Sequence, residues 1–273
     1  MIESIQHPGP VAAKRWAVVP CSAQPVDITL PVAETLAQSV ALGLADFDGG
    51  WLMIENAGLR NLDFVIPGED PSGAHAAWYA GPHQMGAGHI DYLGLHAGRK
   101  EGAPWLHGHG VFSAPGWQGP RMGHILPLES RLHKPIHAQG WGLKGARLEV
   151  THDPETNFPL FQPVQTGTGI GAALITLRPN QDMGSAIASA ASEVGITSGK
   201  IYGLGSIIRP RLKGQPQIDS YATELLLTDG HLSDGIAEIE IEVVTLTASQ
   251  HKGWLEPGAN AVCVTAEILV IAD

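Results

Sequence analysis

Cysteine is scarce in this 273-residue chain: only Cys21 and Cys263 occur, far apart in sequence and outside any Cys-x-x-Cys motif. That excludes a disulfide framework and a thiolate-rich metal site, and it points to a reduced, cytoplasmic protein. No run of about 18 apolar residues is present, so no membrane helix is expected. The first residues lack the apolar stretch of a secretion signal. Positive charge is also sparse. Sixteen Lys and Arg stand against 27 Asp and Glu, a formal net charge of −11, which argues against a nucleic-acid partner held by neutralised phosphates. No low-complexity tract, Ser-His-Asp order, phosphate loop or dinucleotide fingerprint is found. The Gly167-Thr168-Gly169-Ile170-Gly171 run precedes a strand rather than a helix, so it is not a phosphate cradle.

Glycine and proline are abundant, at 34 and 20 residues, as suits a β-rich chain with short connections. The most informative segment is Trp105-Leu106-His107-Gly108-His109-Gly110-Val111-Phe112, followed by Gly123-His124-Ile125-Leu126. His107 and His109 are two apart, so a strand would project both from one face. A hairpin through the Gly/Pro/Trp-rich turn from Ser113 to Gly123 would return His124 beside them. Three imidazoles from two strands make an open site of the zinc type, with a position left for water or a ligand. A cupin would add a glutamate a few residues on, and here Gly110 to Pro115 contains none. All-imidazole ligation favours zinc, with iron, nickel or copper as alternatives. Residues 99–150 carry seven of the sixteen cationic residues and only three acids, so a small anionic ligand is the expected partner.

An internal repeat organises the chain. Asp27-Ile28-Thr29-Leu30-Pro31 matches Leu174-Ile175-Thr176-Leu177-Arg178-Pro179. A helix is expected after each copy, over Val32 to Ala45 and over Asp182 to Val194, with Asp182 as N-cap and Gly195 just past the end. After each helix a β-pair with a glycine at its turn is expected: Trp51 to Ile54 with Leu59 to Val65, and Lys200 to Tyr202 with Ser206 to Leu212. A further strand follows, His89 to Leu95 in one copy and Tyr221 to Leu227 in the other. The second copy has Trp254 where the first has His124, and its strand from Ile239 to Leu246 has no His-x-His. The boundary falls in the short link from Gln165 to Gly171, giving units 1–165, with the triad, and 166–273, without it.

These motifs resemble the PPC domain family, also called DUF296 or PCC. Members carry a β-α-β-β pattern, a strand with His-x-His and a turn with Gly-Gly-His-Leu-x-Pro-Gly. Here His107-Gly108-His109 matches the first motif and Gly123-His124-Ile125-Leu126-Pro127 the second, with Met122 and Leu128 in place of its outer glycines. The family tail Asp-Pro-Glu-Thr-Gly-Phe has its likeness in Asp153-Pro154-Glu155-Thr156-Asn157-Phe158. The resemblance implies an α+β fold of two tandem units, each a mainly antiparallel sheet with a packed helix. It also implies a metal on the His triad and a homo-oligomer, trimer or dimer. Plant members join the domain to an AT-hook and bind DNA, but this sequence has no AT-hook.

Around the triad, Arg60 and Arg121 are candidates for gripping a substrate carboxylate, since guanidinium suits bidentate contact. Glu55, at the end of the apolar Leu52-Met53-Ile54, is the candidate general base. His96 falls on the neighbouring strand and is a candidate neighbour of the triad, and the loop flanked by His83 and His89 could fold over it. Three functional classes follow. The first is a zinc-dependent enzyme of organic-acid chemistry, a lyase, hydrolase or isomerase. The second is a non-catalytic ligand sensor or DNA-binding regulator. The third is a structural zinc that ties the hairpin, which a fourth protein ligand would favour.

Overall fold

A computed structural model describes residues 2–119 and 121–273. Among these residues the chain forms β1 (Trp16–Leu30), α1 (Leu36–Gly43), β2 (Gly49–Asn61), β3 (Asp63–Gly68), β4 (Trp78–Gln84), β5 (Gly88–Lys100), β6 (Ala103–Ser113), β7 (Arg121–Ile125), β8 (Arg131–Leu132), β9 (Ile136–Lys144), β10 (Ala146–His152) and β11 (Pro159–Gln165). It continues with β12 (Ala172–Leu177), α2 (Met183–Glu193), β13 (Gly199–Ile207), β14 (Thr223–Ser233), β15 (Ile236–Thr245), β16 (Gln250–Trp254) and β17 (Val262–Ala272). The α+β expectation is overturned. The chain is mostly β, and its two helices span only 8 and 11 residues.

Each helix is short for a local reason. At α1 the expected start at Val32 gives way to Thr35, whose extended backbone caps the helix and whose hydroxyl accepts the Gln38 N–H at 3.1 Å. At α2 the cap is Asp182, as expected, accepting from Ser185 N at 3.0 Å. Gly195, at φ 79°, lies just beyond the end. The expected β-pairs are absent in both halves for the same reason. Gly58 and Gly203 mark no turn: each lies inside one long strand, β2 or β13. A Cβ on Gly203 would stand 2.4 Å from the Glu267 carbonyl oxygen, so that glycine admits the close approach of β17. After the triad, β9 and the β10–β11 hairpin are strands that the sequence pattern does not predict.

The strands are joined by hydrogen bonding into one large, mainly antiparallel sheet, with β5 and β10 a parallel pair. The long strand β1 carries it across two layers. Its first part pairs with β12 and its second with β9. In the first layer the order runs β1, β9, β2, β5, β6, β7. In the second it runs β12, β17, β13, β14, β15, β16. The layers meet through a shared core. Trp51, Val111, Met122 and Leu148 from the first pack with Leu174, Leu204, Leu226 and Leu269 from the second. Separate cores lie on the outer faces, under α1 with Leu36 and Val40 and under α2 with Met183 and Ile187. No helix among the described residues is long and apolar enough to cross a membrane, and both cysteines are free and buried.

The Asp-Pro-Glu-Thr turn is a brace between the halves. Asp153 accepts from Thr156 N at 3.0 Å and Thr156 Oγ1 at 2.8 Å, and it pairs with Arg178 just after β12. Glu155 takes a two-pronged grip from Arg15 at 2.8 and 2.9 Å. Burial pushes both carboxyls up, but these cations and donors outweigh it and hold both below the ordinary carboxylate range. Their stabilisation is therefore in place at neutral pH and fades as pH falls below about 4. Arg178→Ala strands the buried Asp153 charge, so a loss of about 3 kcal/mol is expected in urea unfolding. A loss too small to measure would contradict the brace.

Candidate metal centre

His107 and His109 project from one face of β6, toward the second layer, as their spacing predicted. The pairing of β6 with β7 sets His109 directly opposite His124, and β5 sets His96 opposite His107. Glycine makes the approach of β7 feasible: a Cβ on Gly123 would lie 2.4 Å from the Phe64 ring. The three triad rings sit with centroids 4.7 to 5.2 Å apart. The hairpin reading of the sequence thus brings together the histidines it named.

The second layer supplies what the sequence reading did not name. From β14, Glu224 Oε2 reaches 2.9 Å from His109 Nε2, and the neighbouring Leu225 carbonyl accepts from His109 Nδ1 at 2.7 Å. From β17, Glu267 Oε2 lies 2.9 Å from His107 Nδ1, and Thr265 Oγ1 donates to its other oxygen at 3.2 Å. His96 Nε2 donates to the Glu267 carbonyl at 3.1 Å. One donor atom each from His107, His109, His124 and Glu224 lies within 4.8 Å of the others.

The donor chemistry fits a metal ion. His107 Nε2 and His109 Nε2 are 3.1 Å apart, and Glu224 Oε2 faces the latter. With His109 Nδ1 committed to a carbonyl, its Nε2 can aim a lone pair at the other donors. His124 Nδ1 is buried with no hydrogen-bond partner. Such a group of converging acceptors is satisfied by a proton or a cation at its centre. A proton meets that need at one nitrogen. Burial works against it on His109, but the Glu224 carboxylate outweighs burial and raises that ring's pKa. Burial and the neighbouring His109 then press His107 and His124 well below the ordinary imidazole range. A divalent ion would serve all four donors at once. Two of the rings already have the outer partners that orient metal-bound imidazoles, Glu267 for His107 and Leu225 for His109. Burial pushes the Glu267 carboxyl up to about 7 and brings His96 down to about 4.

The cluster forms part of the wall of a cavity of about 250 Å³, which His107, His124, Glu224 and Glu267 help to line. Glu55, Arg60 and Arg121 are not brought to it; all three are exposed and absent from its lining. Arg121 pairs with Phe112, on the face of the sheet opposite His124, and covers the Trp117 ring at 4.0 Å. None of the seven cationic residues between 99 and 150 lines the cavity either. His83 stacks on Phe64, and the loop it flanks does not cover the cluster. In the second layer, Glu240 pairs with Trp254 at the place where the first pairs His109 with His124, so that half holds no matching imidazole set.

No family model matches the chain, and no curated protein matches it. Among solved structures, a metal-containing protein of Archaeoglobus fulgidus is similar over 51% of this chain and 93% of its own, at 18% identity and TM-score 0.39. A plant- and prokaryote-conserved (PPC) protein of Pyrococcus horikoshii is similar over 57% and 99%, at 14% identity and TM-score 0.35. A hypothetical protein of Salmonella cholerae-suis is similar over 54% and 98%, at 12% identity and TM-score 0.35. These likenesses span about half of this chain and assign it neither family nor function.

Glu267→Gln removes the charge behind His107 while keeping its shape. Zinc affinity in chelator competition is expected to fall about 10- to 100-fold; an unchanged affinity would contradict the orienting role of that carboxylate.

Proposed function

We propose that this chain binds a divalent metal ion, zinc by preference, and uses it to hold a small molecule. His107, His109 and His124 from the first layer and Glu224 from the second would be the ligands. The reading is carried by the convergence of those four donors at the wall of a cavity. Nitrogen and carboxylate donors without thiolate suit zinc, and iron, nickel or copper less specifically. Bound there, the ion would act as a Lewis acid toward an oxygen of the cavity's occupant. Leu225 and Glu267 would fix two of the imidazoles in place. The apolar walls would keep water from the site. A small anionic ligand is the proposed partner; no lysine or arginine lines the cavity, so the ion alone would answer its charge. Binding, rather than a named organic-acid reaction, is what these residues support.

The proposal includes a PPC-like architecture of two tandem units, 1–165 and 166–273. The support is the strand order, which recurs from one half to the other, with β1, β9 and β2 in the places of β12, β17 and β13. One unit would donate the imidazoles and the other the carboxylate. That division favours a second reading. Glu224 is a fourth protein donor, and four ligands can close a structural site whose purpose is to clamp the layers together.

Metal analysis of protein purified without a chelating resin tests the first claim. About one ion per chain is expected in the wild type and little in His107→Ala/His109→Ala; equal content in both would overturn it. The two readings separate on the cobalt-loaded protein. Acetohydroxamate should change its visible spectrum if the ion accepts an outside ligand, and leave it unchanged if the four residues close the site.

A further inference from the structure

Resting on the metal reading, we infer that the occupant of the cavity is a flat molecule, an apolar aromatic ring bearing one short anionic oxygen-donor group directed at the ion. The observation is a continuous aromatic wall from the mouth to the imidazoles. Trp78 stands at the mouth, 39% exposed, and stacks on Phe158 with ring centroids 5.0 Å apart. Tyr79 meets Phe158 edge-on at 6.3 Å and His124 edge-on at 5.3 Å. Trp105 and Phe161 also line the cavity. Planar faces set at these angles favour stacked and edge-to-face contact with another ring.

The polar lining is His107, His124, Glu224 and Glu267 at the cluster, with the hydroxyls of Tyr79, Ser206, Thr223 and Thr265. With no cationic side chain in the lining, a ligand carrying several anionic groups would have nothing but the ion to neutralise them. One donor group is what the site can satisfy. Size agrees: a dry apolar cavity of about 150 Å³ suffices for a benzene ring, and about 250 Å³ leaves room for a short substituent.

The mouth is also held ready. The His75 ring packs on Trp78 at 4.2 Å and on Phe158 at 4.6 Å. Its Nδ1 is tied to Asp70 at 2.9 Å and its Nε2 reaches the Asn157 carbonyl at 3.3 Å. Trp78 is thereby fixed in place before a ligand arrives, which lowers the ordering cost of binding.

The test uses the full-length cobalt-loaded protein and two probes that share one metal-directed group, acetohydroxamate and benzohydroxamate, titrated by the visible spectrum. Benzohydroxamate is expected to bind about tenfold tighter or more, from burial of its ring. Trp78→Ala, at a partly exposed position, should shrink that preference several-fold through weaker benzohydroxamate binding. Trp105→Ala, deeper in the wall, should shrink it as well. Equal affinity for the two probes, or a preference untouched in both variants, would overturn the inference while leaving the metal reading intact. Failure of the protein to take up cobalt would overturn the metal reading and this inference with it.

Discussion

Four acceptor-rich groups meeting at one buried point set the terms for the rest of the molecule. Two imidazole nitrogens 3.1 Å apart, a third ring beside them and a carboxylate oxygen 2.9 Å from one of them turn lone pairs toward one another unless a proton or a metal ion sits between them. Apolar surroundings sharpen the demand, since low dielectric strengthens repulsion as much as attraction. A proton shared between His109 and Glu224 answers it partly. A divalent ion answers it completely, because each donor then has a partner.

That constraint is also a link between layers. The imidazoles stand on β6 and β7, and the groups that meet them stand on β14 and β17. Trp51 and Leu226 pack nearby in the core that the two layers share. The Asp153 and Glu155 brace, with Arg15 and Arg178, is a second polar tie across the same division. The first layer's His109 and His124 are answered in the second by Glu240 and Trp254, so the two layers share a strand order while only one carries imidazoles. A carboxylate reaching across from β14 makes the unlike halves complementary.

Much of the site was legible in the sequence because it rests on local geometry. An i, i+2 spacing on a strand fixes a shared face, and the glycine-rich return to His124 fixes the hairpin. Glu224 and Glu267 come from strands more than a hundred residues away, and pairing order cannot be read from one sequence. They did leave a signal. Glu267 is the lone charge in Val262–Ala272, an otherwise nearly apolar strand, and a charge placed in such a run is costly unless something answers it. The α+β reading fails because the two helices span only 8 and 11 residues while β9, β10 and β11 add strands; the expected β-pairs fail separately, at glycines that lie inside strands. Gly203 permits close packing of β17 instead of reversing the chain, a distinction carried by tertiary contact. Glu55, Arg60 and Arg121 rest on residue type and on expected strand ends and turns, which do not fix the face a side chain takes. For Arg121, the alternation of the pleat places its side chain on the far face from His124.

The most direct measurement is the anomalous scattering of a crystal of the cobalt- or zinc-loaded protein, recorded across the metal's absorption edge. A single strong peak among His107, His109, His124 and Glu224 is the result predicted. A crystal of metal-loaded protein with its peak elsewhere, or with none at that point, would contradict the account.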